Sequence, residues 1–234
     1  SNSGTITITD GSNGNITITP NGSGNIVLDA LTFPNADGSA NQVLKTDGSG
    51  TLSFTDPGGG AMNLISTTNI SNAATVSITG MDSTYKHYKM ILTQLHPEND
   101  GVDLQGRAIV GGSAHTGSSS YFSIVEHSRT GNASAEFDNQ ESKSFWNFNH
   151  SSENIGNANS DCVNVIIDIF NPSDTTFEKL IRTEINYTHA AVHEQFSRGY
   201  GINTLRLTSA FTGIQFFFDS GDIATGTIKL YGLS

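Results

Sequence analysis

Cysteines, charged residues and long apolar runs are all scarce in this sequence, and each of these scarcities argues against a class of protein. Cys162 is the single cysteine, so no disulfide can form within the chain, and we interpret it as a small buried apolar side chain. No apolar run approaches the roughly 20 residues that span a bilayer, which argues against membrane insertion. The net charge of -11 would repel phosphate backbones, which argues against nucleic acid as a partner.

A helical pattern is missing as well. No stretch keeps apolar residues at helical spacing over a window of about 11–18 residues, whereas the 25 glycines and the many Ser, Thr and Asn residues favour short strands and turns. We therefore predict an all-β chain, with a jelly-roll-like β-sandwich over residues 61–234. Its predicted strands are 64–68, 74–79, 85–95, 104–110, 121–127, 144–149, 162–170, 179–187, 203–208, 213–218 and 226–233.

Residues 4–31 carry three copies of a short repeat. Its apolar positions form two columns, Ile6–Ile16–Ile26 and Ile8–Ile18–Leu28, and within each copy they alternate with Thr, Asn or Val at the strand period of two. One copy cannot bury enough apolar surface to offset the roughly 1–2 kcal/mol per residue that ordering the backbone costs. We expect a shaft over residues 1–31 in which several identical chains share one apolar core. A solvated, flexible leader is the alternative.

Residues 32–60 predict a hairpin-like collar and a joint. Asp-Gly turns at 37–38 and 47–48 bracket segment 42–45, and a second strand-like segment follows at 51–55, as in a hairpin. The run Asp-Pro-Gly-Gly-Gly at 56–60 breaks regular structure and predicts a joint between two parts. Because residues 1–4 contain neither an initiator Met nor a signal-peptide pattern, we expect a further region before Ser1.

Four segments of the chain carry a resemblance to a known family. They are the collar segment 33–54, the joint Gly-Gly-Gly-Ala-Met-Asn-Leu-Ile-Ser at 58–66, the run Met-Asp-Ser-Thr-Tyr-Lys-His-Tyr-Lys-Met-Ile-Leu at 81–92 and the closing Gly-Thr-Ile-Lys-Leu-Tyr-Gly-Leu at 226–233. These segments resemble tail-fibre and related virion proteins of tailed bacteriophages, especially aquatic ones. The resemblance implies a homotrimeric virion fibre, made in the host cytoplasm, whose C-terminal head attaches to a glycan or protein receptor on the host. Other tail or capsid proteins would bind the region before Ser1.

Two other functions remain open for such a chain. One is a structural virion protein, such as a capsid-surface fibre or decoration, whose head contributes little specificity. The other is a polysaccharide-degrading tail spike. The acidic residues Glu136, Asp138, Glu141, Glu153 and Asp161, which we place in or beside polar loops, could supply the paired carboxylates that a glycosidase needs.

An aromatic and amide-rich segment is the strongest candidate for ligand contact. Residues 144–150 read Ser-Phe-Trp-Asn-Phe-Asn-His, and a polar stretch follows to Ser160. Aromatic rings cover the apolar face of a sugar, while amides exchange hydrogen bonds with its hydroxyls. We therefore predict a receptor-contact surface in loop 147–161, with Trp146, Asn147, Asn149, His150 and Asn154 as ligand-binding residues. Strand alternation nevertheless favours a core position for Trp146, on the face that it shares with Phe148.

The remaining sequence motifs give weaker evidence for metal binding or catalysis. His189 and His193 lack the inserted Glu of a His-Glu-x-x-His metal site, so we interpret them as surface or interface residues. Segment 99–103, Asn-Asp-Gly-Val-Asp, is too short for a calcium-binding loop and predicts a turn. No Gly-x-Ser-x-Gly or phosphate-binding loop occurs. We therefore predict a non-enzymatic protein with no cofactor and no metal within one chain.

Overall fold

The structure is a computed structural model that describes residues 18–57, 61–190 and 195–233. Among these residues no helix occurs and every strand pair is antiparallel, which confirms the all-β prediction. The chain divides into two compact units, Ser1–Gly59 and Gly60–Ser234. Ile6, Ile8 and Ile16 of the predicted shaft lie outside the described residues. The described residues also contain no helix with the length and apolarity that crossing a membrane requires.

The first unit contains two short hairpins. β1 (Val27–Leu28) pairs with β2 (Leu31–Thr32), and β3 (Val43–Thr46) pairs with β4 (Leu52–Thr55). The second hairpin lies in the segment for which a hairpin-like collar is predicted. Its turn is closed by Asp47, whose Oδ1 accepts hydrogen bonds from the backbone N–H groups of Ser49 and Thr51 at 2.7 and 3.0 Å.

Two antiparallel sheets make up the second unit. The larger sheet has eight strands in the order β11-β10-β15-β14-β13-β7-β17-β5, and the smaller has the order β12-β8-β16-β6 with β9 paired to β8. Their bounds are β5 Met62–Ala73, β6 Val76–Thr79, β7 His87–Pro97, β8 Leu104–Val110, β9 Ser113–Ala114, β10 Tyr121–Arg129, β11 Asn132–Lys143, β12 Trp146–Asn147, β13 Val163–Phe170, β14 Lys179–Thr188, β15 Phe196–Leu205, β16 Gly213–Phe218 and β17 Ile223–Leu233.

A single apolar core lies in this unit, built from alternate residues of its strands. On β13, Val163, Val165, Ile167 and Ile169 are all buried, because a strand turns every second side chain to the same face. Each such aliphatic side chain contributes about 1.5–3 kcal/mol by leaving water. Cys162 precedes this series and is half-buried, so it is less buried than the small buried apolar side chain that was predicted.

Most predicted strands are present, but three predictions were wrong. No strand was predicted over β11, segment 144–149 contains only the two-residue β12, and the strand expected at 203–208 is β15, Phe196–Leu205. The first part of β15 was missed because glycines occupy two positions on its inner face. A Cβ on Gly201 would lie 2.5 Å from Thr183 Oγ1, and one on Gly199 would lie 3.0 Å from Ile185 Cγ2.

Candidate functional site

A polar groove lies where edge strand β11 of the larger sheet meets β8 and β12 of the smaller sheet. Its volume is about 520 Å³, within the usual range for a small-molecule site. Acidic, amide and hydroxyl side chains line most of it, together with one cation and one aromatic ring. The lining residues are Asp103, Gln105, Asp138, Asn139, Gln140, Glu141, Lys143, Phe145, Asn147 and Ser151.

One wall of the groove is β11, whose inward positions are polar. Asp138 Oδ2 accepts hydrogen bonds from Gln140 Nε2 at 2.8 Å and from the backbone N–H of Ser151 at 2.9 Å. Burial alone would raise the pKa of Asp138, but these hydrogen bonds outweigh it and lower the pKa below its ordinary value. Asp138 therefore stays ionised at neutral pH and serves as a hydrogen-bond acceptor.

Asp103 lies on the opposite side of the groove and binds the side-chain amides of three asparagines. Its carboxylate accepts from Asn149 Nδ2 at 2.7 Å, Asn147 Nδ2 at 3.2 Å and Asn154 Nδ2 at 3.3 Å. Burial raises the pKa of Asp103, and the hydrogen bonds from Asn149 and Asn147 act in the opposite direction. Because both carboxylate oxygens are used, Asp103 fixes the start of the loop after β12.

Phe145 supplies the aromatic surface of the groove. Its ring packs edge-on against Phe217, with ring centroids 6.4 Å apart and planes at 85°. Arg107 lies over the Phe217 ring, with its guanidinium carbon 4.4 Å from the centroid, and its Nε donates to Ser144 O at 3.2 Å. These contacts fix the orientation of a half-buried ring that lines the groove.

Trp146 and Asn149, two of the predicted ligand-binding residues, are fully buried. Trp146 packs edge-on against Tyr121 with centroids 5.0 Å apart, and its Nε1 donates to Thr204 O at 3.0 Å. It therefore occupies the core position that strand alternation favours. Asn149 Oδ1 accepts from the backbone N–H of Leu104 at 2.8 Å, so this side chain joins the loop to β8.

The other three predicted residues differ in their access to the groove. Asn147 lines it. Its Oδ1 is buried and has no hydrogen-bond partner among the described residues. His150 is buried, with its Nδ1 3.2 Å from the backbone N–H of Ser152. Asn154 is half-buried and bonds to Asp103. Within loop 147–161, Asn147 and Ser151 line the groove, and Asn149 and Asn154 donate hydrogen bonds to its residue Asp103.

Several groove residues were not named as ligand contacts from the sequence. Asn139, Gln140 and Lys143 lie on β11, where the signal is polar side chains along an edge strand rather than apolar alternation. Gln105 lies on β8, and Phe145 was singled out only as lying on the opposite strand face from Trp146. Placing Glu136, Asp138 and Glu141 in or beside loops was wrong, because all three lie on β11.

The remaining sequence candidates are placed as follows. His189 is buried within the chain, with its Nε2 2.8 Å from Glu153 Oε2, rather than at the surface or interface position that was predicted. His193 lies outside the described residues. In segment 99–103, Asn99 Nδ2 donates to Ser220 Oγ at 2.7 Å and Gly101 has a φ of 72°, which is consistent with the predicted turn.

The groove offers hydrogen-bond acceptors, amides and one aromatic face, which together suit a polyhydroxylated ligand. Its three carboxylates, Asp103, Asp138 and Glu141, outnumber its one cation, Lys143, so it disfavours anionic ligands. Comparison with known proteins finds no matching family model, no matching curated protein and no matching solved structure.

Proposed function

We propose that this chain is a homotrimeric virion fibre of a tailed bacteriophage that attaches to host-surface glycans. In this proposal residues 1–31 form a shaft of three chains, and the second unit is a jelly-roll-like head that carries the groove. The resemblance of the collar, joint and closing strand to phage fibre proteins supports it.

The observation that carries the proposal is the lack of any core in the described part of the first unit. None of residues 18–57 is buried, although several large apolar side chains occur there. Those that are exposed are Ile18, Val27, Leu28, Leu31, Val43, Leu44 and Phe54. A chain segment with no fully buried residue gains little to offset the entropy of its own ordering. In this proposal, copies of the same segment cover these side chains.

The second unit also exposes apolar side chains, on the outer face of its larger sheet. Ile124 of β10 lies directly opposite Ile202 of β15, and Phe137 and Tyr200 lie beside them. All four are exposed in the single chain. Contiguous apolar surface of this kind is typical of an interface. Contact between heads of one trimer would cover it and would extend the association that begins in the shaft.

For the groove we propose a neutral or amino-bearing saccharide. The hydroxyl groups would exchange hydrogen bonds with Gln105, Gln140 and Asn147, and the apolar face of a sugar ring would stack on Phe145. The excess of carboxylates disfavours sulfated, phosphorylated or carboxylated sugars. Three grooves on one trimer would raise the avidity for a repetitive surface glycan without any new kind of contact.

A polysaccharide-degrading spike is the second candidate, and one observation favours it. Asp103 and Asp138 line the same groove, and their surroundings shift their pKa values in opposite directions, as in an acid and base pair. Against it, both oxygens of Asp103 are already used by asparagine amides. Release of reducing ends from host polysaccharide by the wild-type chain, but not by Asp138→Asn, would establish the enzyme instead.

Binding of the purified chain to an array of neutral, amino and acidic saccharides tests the attachment proposal. We expect binding to neutral or amino sugars, and we expect Phe145→Ala to weaken it on the order of tenfold, because stacking on one ring contributes about 1–2 kcal/mol. Phe177→Ala is the matched control, since Phe177 is an exposed phenylalanine that does not line the groove. Equal losses in the two variants, or no binding to any saccharide, would contradict the proposal.

A further inference from the structure

His127 is a buried histidine whose imidazole forms no hydrogen bond with the part of the chain that the structure describes. It lies on the inner face of β10, is 2% exposed, and neither Nδ1 nor Nε2 has a hydrogen-bond partner among the described residues. Its ring neighbours include His150, with centroids 5.5 Å apart, and Tyr187, at 6.2 Å. Buried polar groups are nearly always satisfied, so an imidazole with two unsatisfied nitrogens indicates a missing partner.

Two carboxylates approach this imidazole from different elements. Glu136 is the residue directly opposite His127 in the β10–β11 register, and Glu153 comes from the loop after β12. One ligand atom from each of the three residues lies within 4.8 Å of the others. The β10–β11 register is irregular between His127 and Arg129, and bulges of this kind commonly occur where a strand directs a side chain into a site.

Further charged and titratable groups surround Glu153. Arg129 Nη1 lies 2.6 Å and His189 Nε2 lies 2.8 Å from Glu153 Oε2, so neither of these contacts uses Oε1. Burial lowers the pKa of His127 below its ordinary value. The neutral imidazole, whose lone pair can coordinate a metal, is therefore the favoured form at neutral pH.

We propose that His127, Glu136 and Glu153 bind one divalent transition-metal ion per chain, with Zn²⁺ as the best match. An imidazole nitrogen with two carboxylates is a donor set that zinc accepts, whereas Ca²⁺ and Mg²⁺ prefer oxygen ligands alone. Ligands about 2.1 Å from one ion lie roughly 3–4 Å apart, so the three side chains need to close by about one ångström. His189 and Arg129 would then orient Glu153 from outside the coordination shell.

The ion would add a further link between two elements that the Arg129–Glu153 ion pair and the hydrogen bond from Ser151 to Asp138 already connect. His127 and Glu136 belong to the hairpin at the edge of the larger sheet, and Glu153 belongs to loop 147–161, whose residues Asn147 and Ser151 line the groove. A metal ion contributes its binding free energy to the folded arrangement of its ligands. The inferred site is therefore structural, and it does not depend on what the groove binds.

Titration of the metal-free full-length chain with Co²⁺, followed by its visible absorption and by displacement with Zn²⁺, tests the inference. We expect one ion per chain, a melting temperature that rises with Zn²⁺, and no comparable effect of Ca²⁺. A chain that binds no Co²⁺ or Zn²⁺, or whose melting temperature responds only to Ca²⁺, would overturn the proposal and would leave a buried water as the partner of His127.

Two variants and a control locate the ion. Glu136→Gln keeps the side-chain size, and we expect it to weaken Co²⁺ binding on the order of tenfold or more; His127→Ala should abolish binding. His115→Ala is the control, because His115 contacts Ser120 and lies outside the cluster, and it should bind one ion with unchanged affinity. If His127→Ala does not fold, Glu136→Gln decides the question. Wild-type affinity in Glu136→Gln, or an equal loss in His115→Ala, would refute the site.

Discussion

Asp168 is a buried carboxylate that is stabilised by cations on both neighbouring strands. It is 2% exposed and lies opposite Lys89 on β7 and Arg182 on β14. Lys89 Nζ lies 2.7 Å and His87 Nε2 lies 2.8 Å from its Oδ1, while Arg182 donates to its Oδ2. Burial would raise the pKa of Asp168, but these hydrogen bonds outweigh it and lower the pKa from 3.8 to about 2.

Replacement of Asp168 by Asn should destabilise the head at neutral pH. The variant leaves Lys89 and Arg182 beside a neutral group, and we expect a loss of about 2–4 kcal/mol in the free energy of unfolding. Because the folded pKa is depressed, the contribution of the wild-type carboxylate is complete above pH 3.8 and is lost as the pH falls towards about 2. Urea unfolding between pH 7 and pH 2 should therefore show wild type and variant converging at the acid end.

The control for Asp168 is an exposed ion pair. Glu178 and Arg206 lie 3.4 Å apart with both side chains largely in solvent, so Glu178→Gln should change the free energy of unfolding by less than about 1 kcal/mol. An Asp168→Asn variant no less stable than Glu178→Gln would show that the buried network contributes nothing.

At the level of the strands, prediction from sequence succeeded for most strands that have one apolar face, although segment 144–149 is an exception. β8 and β16 have the bounds that were predicted. Their side chains either alternate between apolar and polar or are continuously apolar where they pack against the core. β11 was missed because the side chains along it are mostly polar and it lies at a sheet edge, and an apolar period cannot mark a strand that buries little apolar surface. The same strand supplies most of one groove wall, so the site was largely missed with it.

Gly106 permits the close approach of β8 and the segment after β12. It pairs with Trp146 and with Phe216, and a Cβ there would lie 2.7 Å from Phe148 Cε2 and 3.3 Å from Ile214 Cγ2. We expect Gly106→Ala to lower the free energy of unfolding by about 1–3 kcal/mol through overpacking. It should also weaken saccharide binding, because Gln105 is the neighbouring residue in the groove. Urea unfolding and the array binding assay measure the two effects.

A second substitution checks the cause of that loss. Phe148→Leu removes the ring atoms that the new methyl group would meet, so the double variant Gly106→Ala/Phe148→Leu should lose less than the sum of the two single variants. Strict additivity of the two changes would mean that the contact with Phe148 is not the source of the destabilisation.

At the scale of the whole molecule, the groove forms from residues that are far apart in the sequence, so no local sequence pattern predicts it. Asp103 precedes β8, Asp138 lies on β11 and Asn147 lies on β12, and pairing within two different sheets brings them together. From the sequence, the aromatic and amide-rich segment was recognisable, and one of its five predicted contacts, Asn147, lines the groove. Asn149 and Asn154 are amides whose hydrogen bonds to Asp103 could be known only from the fold. Trp146 and His150 are buried side chains that do not line the groove.

The last prediction concerns the proposed shaft. In a single chain, apolar side chains on both faces of the repeat are similarly exposed, so their exposure does not show which face would lie between chains. Ile18, Val27 and Leu28 are 60%, 56% and 53% exposed, yet the repeat places Ile18 and Leu28 in one column and Val27 on the other face. If three chains share the column, Ile18→Thr/Leu28→Thr should shift the chain from trimer towards monomer in sedimentation equilibrium, whereas Val27→Thr should leave the trimer intact. A monomeric wild type, or equal dissociation in both variants, would remove the physical basis for the fibre and for its three-fold avidity.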